Sequence, residues 1–270
     1  MIRSNLHTHS LYCDGKNTLS ELAEKAVCEG FLSLGFSSHA YTDFDHSFCM
    51  KKGDEEKYFS EIEELKKKFS GQLEIYKGLE YDTYSDADTS KCDYIIGAVH
   101  YIKQGGNYLC VDESPEIAKK NIDEFFGGSS DRYAFAYFEE LASMAKMISF
   151  DIVAHFDLLT KFNEKVPLIN TSSRAYKAAA LDAVSEIMKT HEIFEINTGA
   201  IVRSWRTTPY PDDFILKEIC RLGGQIVISS DCHDKNMLTC GFSDALRLAK
   251  SCGFKACLQM HGGKFTECEL

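Results

Sequence analysis

The feature that most constrains this chain is the regular return of a polar, coordinating residue just past each apolar run. Short apolar runs such as Leu34–Ser37, Tyr94–Gly97 and Gln225–Ile228 alternate with amphipathic helical segments. This alternation predicts a parallel α/β sheet. The residues that follow the strand runs are His7 with His9, His39, Glu80, His100, His155, Asn197, and Asp231 with His233. In a closed parallel barrel the carboxyl ends of all strands meet on one face, so we expect these side chains to share one site.

The spacing within two of these groups favours metal binding. His7 and His9 are two residues apart, as are Asp231 and His233, and side chains two apart on an extended chain share a face. Each pair can therefore chelate one ion. Neutral imidazole with carboxylate suits zinc, iron or manganese better than calcium or magnesium. A single histidine is more often a hydrogen-bonded core or surface residue, so the prediction depends on several histidines occurring together at strand ends.

Composition limits the partners and the location of the protein. The 270 residues carry a formal net charge of −11, which is the wrong sign for binding nucleic acid or an anionic membrane. No apolar stretch is long enough to span a bilayer, and the 11 cysteines include no Cys-x-x-Cys pair. We therefore expect a cytoplasmic protein whose residues 1–270 form a single domain and whose partner is a small molecule. The sequence predicts no oligomeric state.

Ordered motifs along the chain resemble those of the polymerase-and-histidinol-phosphatase (PHP) superfamily. They are His7-Thr8-His9 with Asp14-Gly15, Ser37-Ser38-His39, Gly78-Leu79-Glu80, Gly97-Ala98-Val99-His100, Ala154-His155-Phe156-Asp157 and Ser230-Asp231-Cys232-His233. The resemblance covers residues 2–233. The stretches Phe150–Leu158 and Glu195–Thr198, followed by Arg203 and Tyr210-Pro211, are most similar to the monofunctional histidinol-phosphate phosphatases.

The resemblance implies a distorted, TIM-like (β/α)7 barrel with three divalent metal ions, which are zinc, iron or manganese. It implies a first ligand group of His7, His9, Glu80 and Asp231, a second of Glu80, His100 and His155, and a third of Asp14, His39 and His233. Glu80 would bridge two ions, and Glu80, Asp231 and His233 would act in catalysis. Asp14-Gly15 is also an ordinary turn signal, so a purely structural role for Asp14 stays open.

The resemblance also implies an activity, the hydrolysis of L-histidinol phosphate in histidine biosynthesis by attack of a metal-bridging hydroxide. Arg203 is expected to bind the phosphate, because a guanidinium can hold two oxygens in parallel. Arg206 is expected to be an ordinary surface arginine, and Asp157 to orient His155. The further candidates for substrate contact are His39, Asn197, Lys161 and His46, the last together with its loop neighbours Asp43 and Asp45.

Three other functions remain open at this point. A PHP phosphoesterase could act on another small phosphate or on a nucleotide, although the chain has no basic stripe for a polymer. An amidohydrolase barrel also begins with a His-x-His motif and ends with an aspartate, but Glu80 stands where that class often has a lysine. A non-catalytic metal-binding module within an assembly would usually have lost some ligands, whereas all nine positions here carry coordinating side chains.

Overall fold

A computed structural model describes residues 2–270, and its centre is a barrel of short parallel strands. The strands of the wall are β1 (Ser4–Asn5), β2 (Ser33–Phe36), β3 (Glu74–Asp82), β4 (Tyr94–Ala98), β7 (Ile152–Val153), β8 (Ile193–Asn197) and β9 (Gln225–Ser229). Neighbouring strands in this order pair in parallel. The wall closes just past β1 and β9, where the His9 N–H donates to the Cys232 carbonyl at 2.8 Å and the Cys232 N–H donates to the His7 carbonyl at 3.1 Å.

The closure gives the distorted (β/α)7 barrel that the resemblance implies. At the opposite end of the barrel, β10 (Ala256–His261) pairs in parallel with β9 and lies beside β1. A further strand, β11 (Lys264–Glu269), pairs antiparallel with β10. Because β10 separates β1 from β9 at this end, those two strands meet only at the end that carries the candidate ligands.

Helices cover the outside of the barrel, except for one short helix that follows β8 and lies beside the candidate site. They are α1 (Leu19–Cys28), α2 (Glu55–Lys68), α3 (Pro115–Phe126), α4 (Ser130–Met147), α5 (Arg174–Ile187), α6 (Gly199–Val202), α7 (Asp213–Arg221) and α8 (Phe242–Cys252). Thr18 and Glu21 form the capping box that the sequence predicts for α1, and Ser114 caps α3 ahead of Pro115. Among residues 2–270, no helix combines the length and the apolar character needed to cross a membrane.

Two hairpins were not predicted from the sequence. They are β10–β11 and the pair of β5 (Tyr101–Gln104) with β6 (Asn107–Cys110), and each turns through two consecutive glycines. Gly105 and Gly106 have φ of 57° and 81°, and Gly262 and Gly263 have φ of 60° and 77°. Such positive φ values at both turn positions favour glycine, so the Gly-Gly pairs were the overlooked hairpin signal.

The barrel interior below the site is a packed core. Tyr94 is fully buried inside it, and its hydroxyl donates to the Leu6 carbonyl. Apolar side chains such as Ile96, Ile152 and Val227 pack with it. The core therefore leaves no space for a pore, and the polar side chains collect above it, at the carboxyl ends of the strands.

Candidate metal centre

Glu80 stands at the centre of the site, at the carboxyl-terminal part of β3. Its carboxylate is buried, and five imidazoles surround it at distances of 2.9–3.4 Å. Oε2 faces His7 Nε2, His9 Nε2 and His39 Nδ1. Oε1 faces His100 Nε2 and His155 Nε2. A carboxylate with each oxygen directed at a different set of histidines has the arrangement of a bridge between two ions.

Asp231 completes the first ligand group. Its Oδ1 lies 3.1 Å from His9 Nε2 and 3.7 Å from His7 Nε2, on the same side as Glu80. His233 follows on the same loop, with Nδ1 3.5 Å from that oxygen and its ring stacked on His9 at 4.0 Å between centroids. Asp231 has a φ of 49°, a conformation that a non-glycine residue seldom adopts and that often marks functional sites.

The third ligand group forms around Asp14. Its carboxylate lies 3.1 Å from His233 Nε2 and 3.8 Å from both His39 Nε2 and His9 Nδ1. Asp14 is thus next to three imidazoles, while Gly15 serves the turn. A Cβ at Gly15 would lie 2.5 Å from the backbone of His9, so only glycine lets the chain return so close to the ligand strand. His9 faces both the first and the third group, which the sequence did not indicate.

The buried polar atoms of the site fit divalent cations. His7 Nε2, His9 Nε2 and Glu80 Oε2 are all buried, and none has a hydrogen-bond partner. His7 uses Nδ1 to donate to Glu195 at 2.6 Å, so Nε2 is the ring nitrogen that remains for an ion. Buried nitrogen and oxygen acceptors that face one another are stabilised by a positive charge between them. Imidazole and carboxylate donors are those that zinc, iron and manganese accept.

The histidines differ in charge. Burial lowers the pKa of His9 to about 3, and the neighbouring His233 and His39 add to this effect. His9 is therefore neutral at physiological pH, as a metal ligand must be. Burial alone would also lower the pKa of His100, but Glu80, Asp82 and Asp112 raise it to about 9.

The carboxylates remain ionised. Burial opposes the charge of Glu80, but His39, His7 and His100 hold its pKa well below the ordinary value. In the same way, Arg203 and His7 outweigh the burial of Asp231 and lower its pKa. The site therefore combines permanent anionic ligands with imidazoles that exchange a proton for a metal ion.

A cavity of about 810 Å³ opens above these ligands. Side chains of the second and third ligand groups form its floor, together with Asp231. Its walls include Phe48, Tyr101, Leu158, Val202 and Arg203. The cavity is large enough for a small organic phosphate and combines apolar and charged side chains on its walls above a charged floor, which is typical of a small-molecule site.

Comparison with protein families shows to which family the chain belongs. The family model described as the PHP domain matches residues 5–199. The chain belongs to the PHP family. It is 26% identical over 249 residues to the histidinol-phosphatase of Bacillus subtilis, and this alignment covers 84% of this chain and 92% of that protein. In fold it is similar to a histidinol phosphate phosphatase from Lactococcus lactis, solved in complex with zinc, L-histidinol and phosphate. The superposition of the two structures has a TM-score of 0.75 and a sequence identity of 19%, and it covers 98% of each chain.

Within this PHP barrel, three of the expected substrate residues reach the cavity: His39, which lies on its floor, Arg203 and Lys161. Arg203 is one-third exposed, and its Nη2 donates to Asp231 Oδ2 at 2.8 Å. Lys161 also lines the cavity, but its Nζ already donates to the carbonyl and the carboxylate of Asp112, both at 2.8 Å. Arg203 thus keeps donors free for a ligand, whereas the charge of Lys161 is paired within the protein.

Two other expected substrate residues do not reach the cavity. Asn197 is fully buried, its amide nitrogen donates to Glu195 at 2.9 Å, and its oxygen accepts from the Gly199 N–H at 2.7 Å. His46 is exposed and stacks on Tyr41 outside the cavity. The prediction that these side chains contact substrate is therefore corrected. Of the acidic neighbours of His46, Asp45 lines the cavity and accepts a hydrogen bond from Tyr101 at 2.7 Å.

Two acidic partners of the ligands were missed in the sequence. Asp82 on β3 accepts the backbone N–H of His100 at 2.8 Å and lies 3.3 Å from its Nδ1. Glu195 on β8 accepts from His7. Both are acidic residues within buried strands, and charged residues are almost never fully buried unless they are paired. That rule could have identified them.

The expectations for Asp157 and Arg206 are wrong. Asp157 does not contact the His155 ring; it accepts the Asp212 N–H at 3.1 Å and lies 3.9 Å from Arg206. Arg206 is buried rather than at the surface, and it donates to Asp212 at 2.7 Å. Its guanidinium also lies over the Tyr210 ring at 4.5 Å. This buried ion cluster anchors the loop that follows Arg203.

Replacing Arg206 by alanine is expected to lower the free energy of unfolding by about 3–5 kcal/mol, because it leaves Asp157 and Asp212 without their buried counter-charge. Denaturant unfolding followed by circular dichroism measures the change. Arg221→Ala is the control, since Arg221 is exposed and pairs only with Glu218 on the same helix. Equal stability of the two variants would contradict the structural role of Arg206.

Proposed function

We propose that this chain is a histidinol-phosphate phosphatase, a metal-dependent phosphomonoesterase that converts L-histidinol phosphate to L-histidinol and phosphate in histidine biosynthesis. The observation that carries the proposal is the Glu80 carboxylate surrounded by five histidines on the floor of a cavity that also presents Arg203. The names of the relatives and the histidinol and phosphate bound in the Lactococcus lactis structure support the substrate.

The ligand groups provide for three divalent ions. His7, His9, Glu80 and Asp231 would hold the first, Glu80, His100 and His155 the second, and Asp14, His39 and His233 the third. Divalent ions in such groups supply Lewis-acid neutralisation of phosphate oxygens and a bound water of lowered pKa. Zinc, iron and manganese all suit these donors.

Arg203 contributes binding and orientation. Its Nη2 donates to the Asp231 carboxylate at 2.8 Å and its Nη1 to the Asp231 carbonyl at 3.5 Å, so the guanidinium is held above the floor of the cavity instead of moving freely. Phosphate oxygens bound there would accept charge-assisted hydrogen bonds in a fixed fork geometry. In a chain of net charge −11, this local cation also offsets the long-range repulsion of an anionic substrate.

The other walls suit the organic part of the substrate. Asp45, Asp112 and Glu113 line the cavity, and Phe48 lies edge-on to His39 at 4.9 Å between centroids. An amine or imidazolium on the substrate would face carboxylates here, while its carbon skeleton would lie against the aromatic ring. This wall favours histidinol phosphate over nucleoside monophosphates, whose sugar and base carry no positive charge to face these carboxylates.

The proposal is tested by measuring phosphate release from histidinol phosphate and from a panel of nucleoside monophosphates, sugar phosphates and aryl phosphates. We expect kcat/KM for histidinol phosphate to exceed the others by about 100-fold or more, a discrimination that a few polar contacts supply. A preference for a nucleoside monophosphate would overturn the proposal and favour the alternative PHP phosphoesterase. Hydrolysis of amides instead of phosphates would favour an amidohydrolase.

Arg203→Ala is expected to lower kcat/KM for histidinol phosphate by about tenfold to 150-fold, equivalent to about 1.5–3 kcal/mol for a charge-assisted hydrogen bond. KM should rise because ground-state binding weakens, and kcat should fall if the contact tightens in the transition state. Arg203→Lys should recover only part of the activity, because an ammonium lacks the planar fork.

The metal content of each variant is measured alongside, because Arg203 also contacts Asp231. Arg221→Ala serves as the exposed control. Unchanged kinetics in Arg203→Ala together with a large loss in Lys161→Ala would transfer the phosphate contact to Lys161.

A further inference from the structure

We propose that Glu195 is a positioning residue that fixes the His7 ring with Nε2 toward the metal centre. Glu195 lies on β8, below the floor of the cavity, and only 1% of its surface is exposed. It lines no part of the cavity and therefore does not contact substrate. The inference rests on the proposed metal ligands, but it concerns a residue to which neither the ligand groups nor the substrate contacts assign a role.

Each oxygen of the Glu195 carboxylate accepts two hydrogen bonds. Oε1 accepts from His7 Nδ1 at 2.6 Å and from the Ser229 hydroxyl. Oε2 accepts from the His155 backbone N–H and from the Asn197 amide nitrogen, both at 2.9 Å. All four partners are donors, so the position requires a group that only accepts, and an ionised carboxylate is the side chain that meets this requirement.

The bond from His7 determines which ring nitrogen carries the proton. A neutral imidazole has one N–H, and a buried carboxylate at 2.6 Å holds that proton on Nδ1. Nε2 is then left with its lone pair, 3.1 Å from Glu80 Oε2 and without a hydrogen-bond partner. A ring rotated by half a turn would lose the bond to Glu195 and turn carbon toward the ion, so Glu195 fixes both the tautomer and the orientation of His7.

The same carboxylate connects the strands that deliver the ligands. From β8 it reaches His7 after β1, His155 after β7 and Ser229 at the end of β9, two residues before Asp231. Its most direct link to the centre is nevertheless the His7 ring, because the other three bonds come from a backbone amide and from two side chains that are not proposed ligands. The third ligand group has no contact with Glu195.

Glutamine at this position has the same size but the wrong polarity. Its NH₂ group would face two donors, either His7 with Ser229 or His155 with Asn197. Glu195→Gln is therefore expected to weaken zinc binding at the site of His7 by about 10–100-fold, the usual cost of removing a partner of a metal-bound histidine. The site formed by Asp14, His39 and His233 should keep its affinity.

Exchanging the carboxylate of Glu195 and the amide of Asn197 between the two positions should restore part of the lost zinc binding. When Glu195→Gln is combined with Asn197→Asp, the NH₂ group of the new glutamine can donate to the new carboxylate, while the glutamine oxygen keeps accepting from His7. Asn197→Asp alone places two carboxylates in contact and should weaken binding as well. The double variant is expected to bind zinc more tightly than either single variant.

Zinc affinities are measured by competition with a chromophoric chelator, and the thermal stability of each variant is measured in excess chelator. Asp151→Asn is the matched control, because Asp151 also accepts a backbone N–H of a neighbouring strand, from Ile95 at 2.7 Å, but at the far end of the barrel. Unchanged zinc affinity in Glu195→Gln, equal weakening of all sites, or no recovery in the double variant would overturn the proposal.

A measurement on the unaltered protein keeps the test independent of how the variants fold. In zinc-loaded protein with ¹⁵N-labelled histidine, we expect the His7 ring proton on Nδ1, shifted strongly downfield by the charged acceptor. A proton on Nε2 would overturn the proposal. Neither experiment uses a substrate, so failure here leaves the phosphatase proposal intact, and a different substrate would leave this inference intact.

Discussion

Glu80→Gln is expected to reduce kcat/KM for histidinol phosphate by about 10³-fold or more, equal to about 4 kcal/mol of transition-state stabilisation. Loss of a partner of a metal ligand typically costs about 10–100-fold, and Glu80 is itself the ligand that two groups share. The substitution keeps the volume of the side chain but removes the charge that faces five imidazoles. The glutamine amide has one oxygen that can coordinate, so it could not bridge the first and second proposed ions as the carboxylate would.

Activity and metal content are measured together on the same preparation. Glu74→Gln is the matched control, because Glu74 lies on the same strand but at the other end of the barrel, where it contacts Tyr76 and His261. This control should keep both its metal and its activity. A Glu80→Gln protein that retained three ions per chain and near-normal turnover would show that Glu80 is not the bridging ligand.

The candidate ligands could be predicted because strand geometry leaves little freedom. Parallel strands deliver their carboxyl ends to one face, and residues two apart on an extended chain share a side, so His7 and His9 had to approach each other. Asp231 and His233 also lie close together, although the φ of 49° at Asp231 shows that the chain is not extended there. Asp14 was less determined, since it lies in a turn. Its position depends on the close return of the chain at Gly15, which strand periodicity does not describe.

The alternation of residues along a strand does not show how far below the cavity floor an inward-facing side chain lies. Glu195 and Asn197 share a face of β8, and both point into the barrel, but below the floor of the cavity. Residue spacing predicts which face of the strand a side chain is on, but not its distance from the cavity. For this reason the sequence pattern favours a substrate contact for Asn197 and gives no role to Glu195. Arg206 lies in a loop without periodicity, and its burial depends on the distant Asp157.

Removal of divalent metal is expected to abolish phosphate release, lowering it by at least about 10³-fold, and added manganese, zinc or iron should restore it. The reason is that neither the thiol nor the serine hydroxyl that lines the cavity is an activated nucleophile. Burial and the nearby Asp112 raise the pKa of the Cys110 thiol, which keeps it protonated. The Ser47 hydroxyl donates to Asp45 and has no histidine as a base.

The measurement compares the protein before and after dialysis against a chelator, and again after stepwise return of each metal. Reloading should be less complete at pH 6 than at pH 8 at the same metal concentration, because an incoming ion displaces protons from imidazoles such as His39 and His100, whose pKa values are raised. Cys110→Ala and Ser47→Ala should keep activity in the metal-loaded protein. Full turnover after metal removal, abolished by either of these two substitutions, would instead assign the reaction to a side-chain nucleophile.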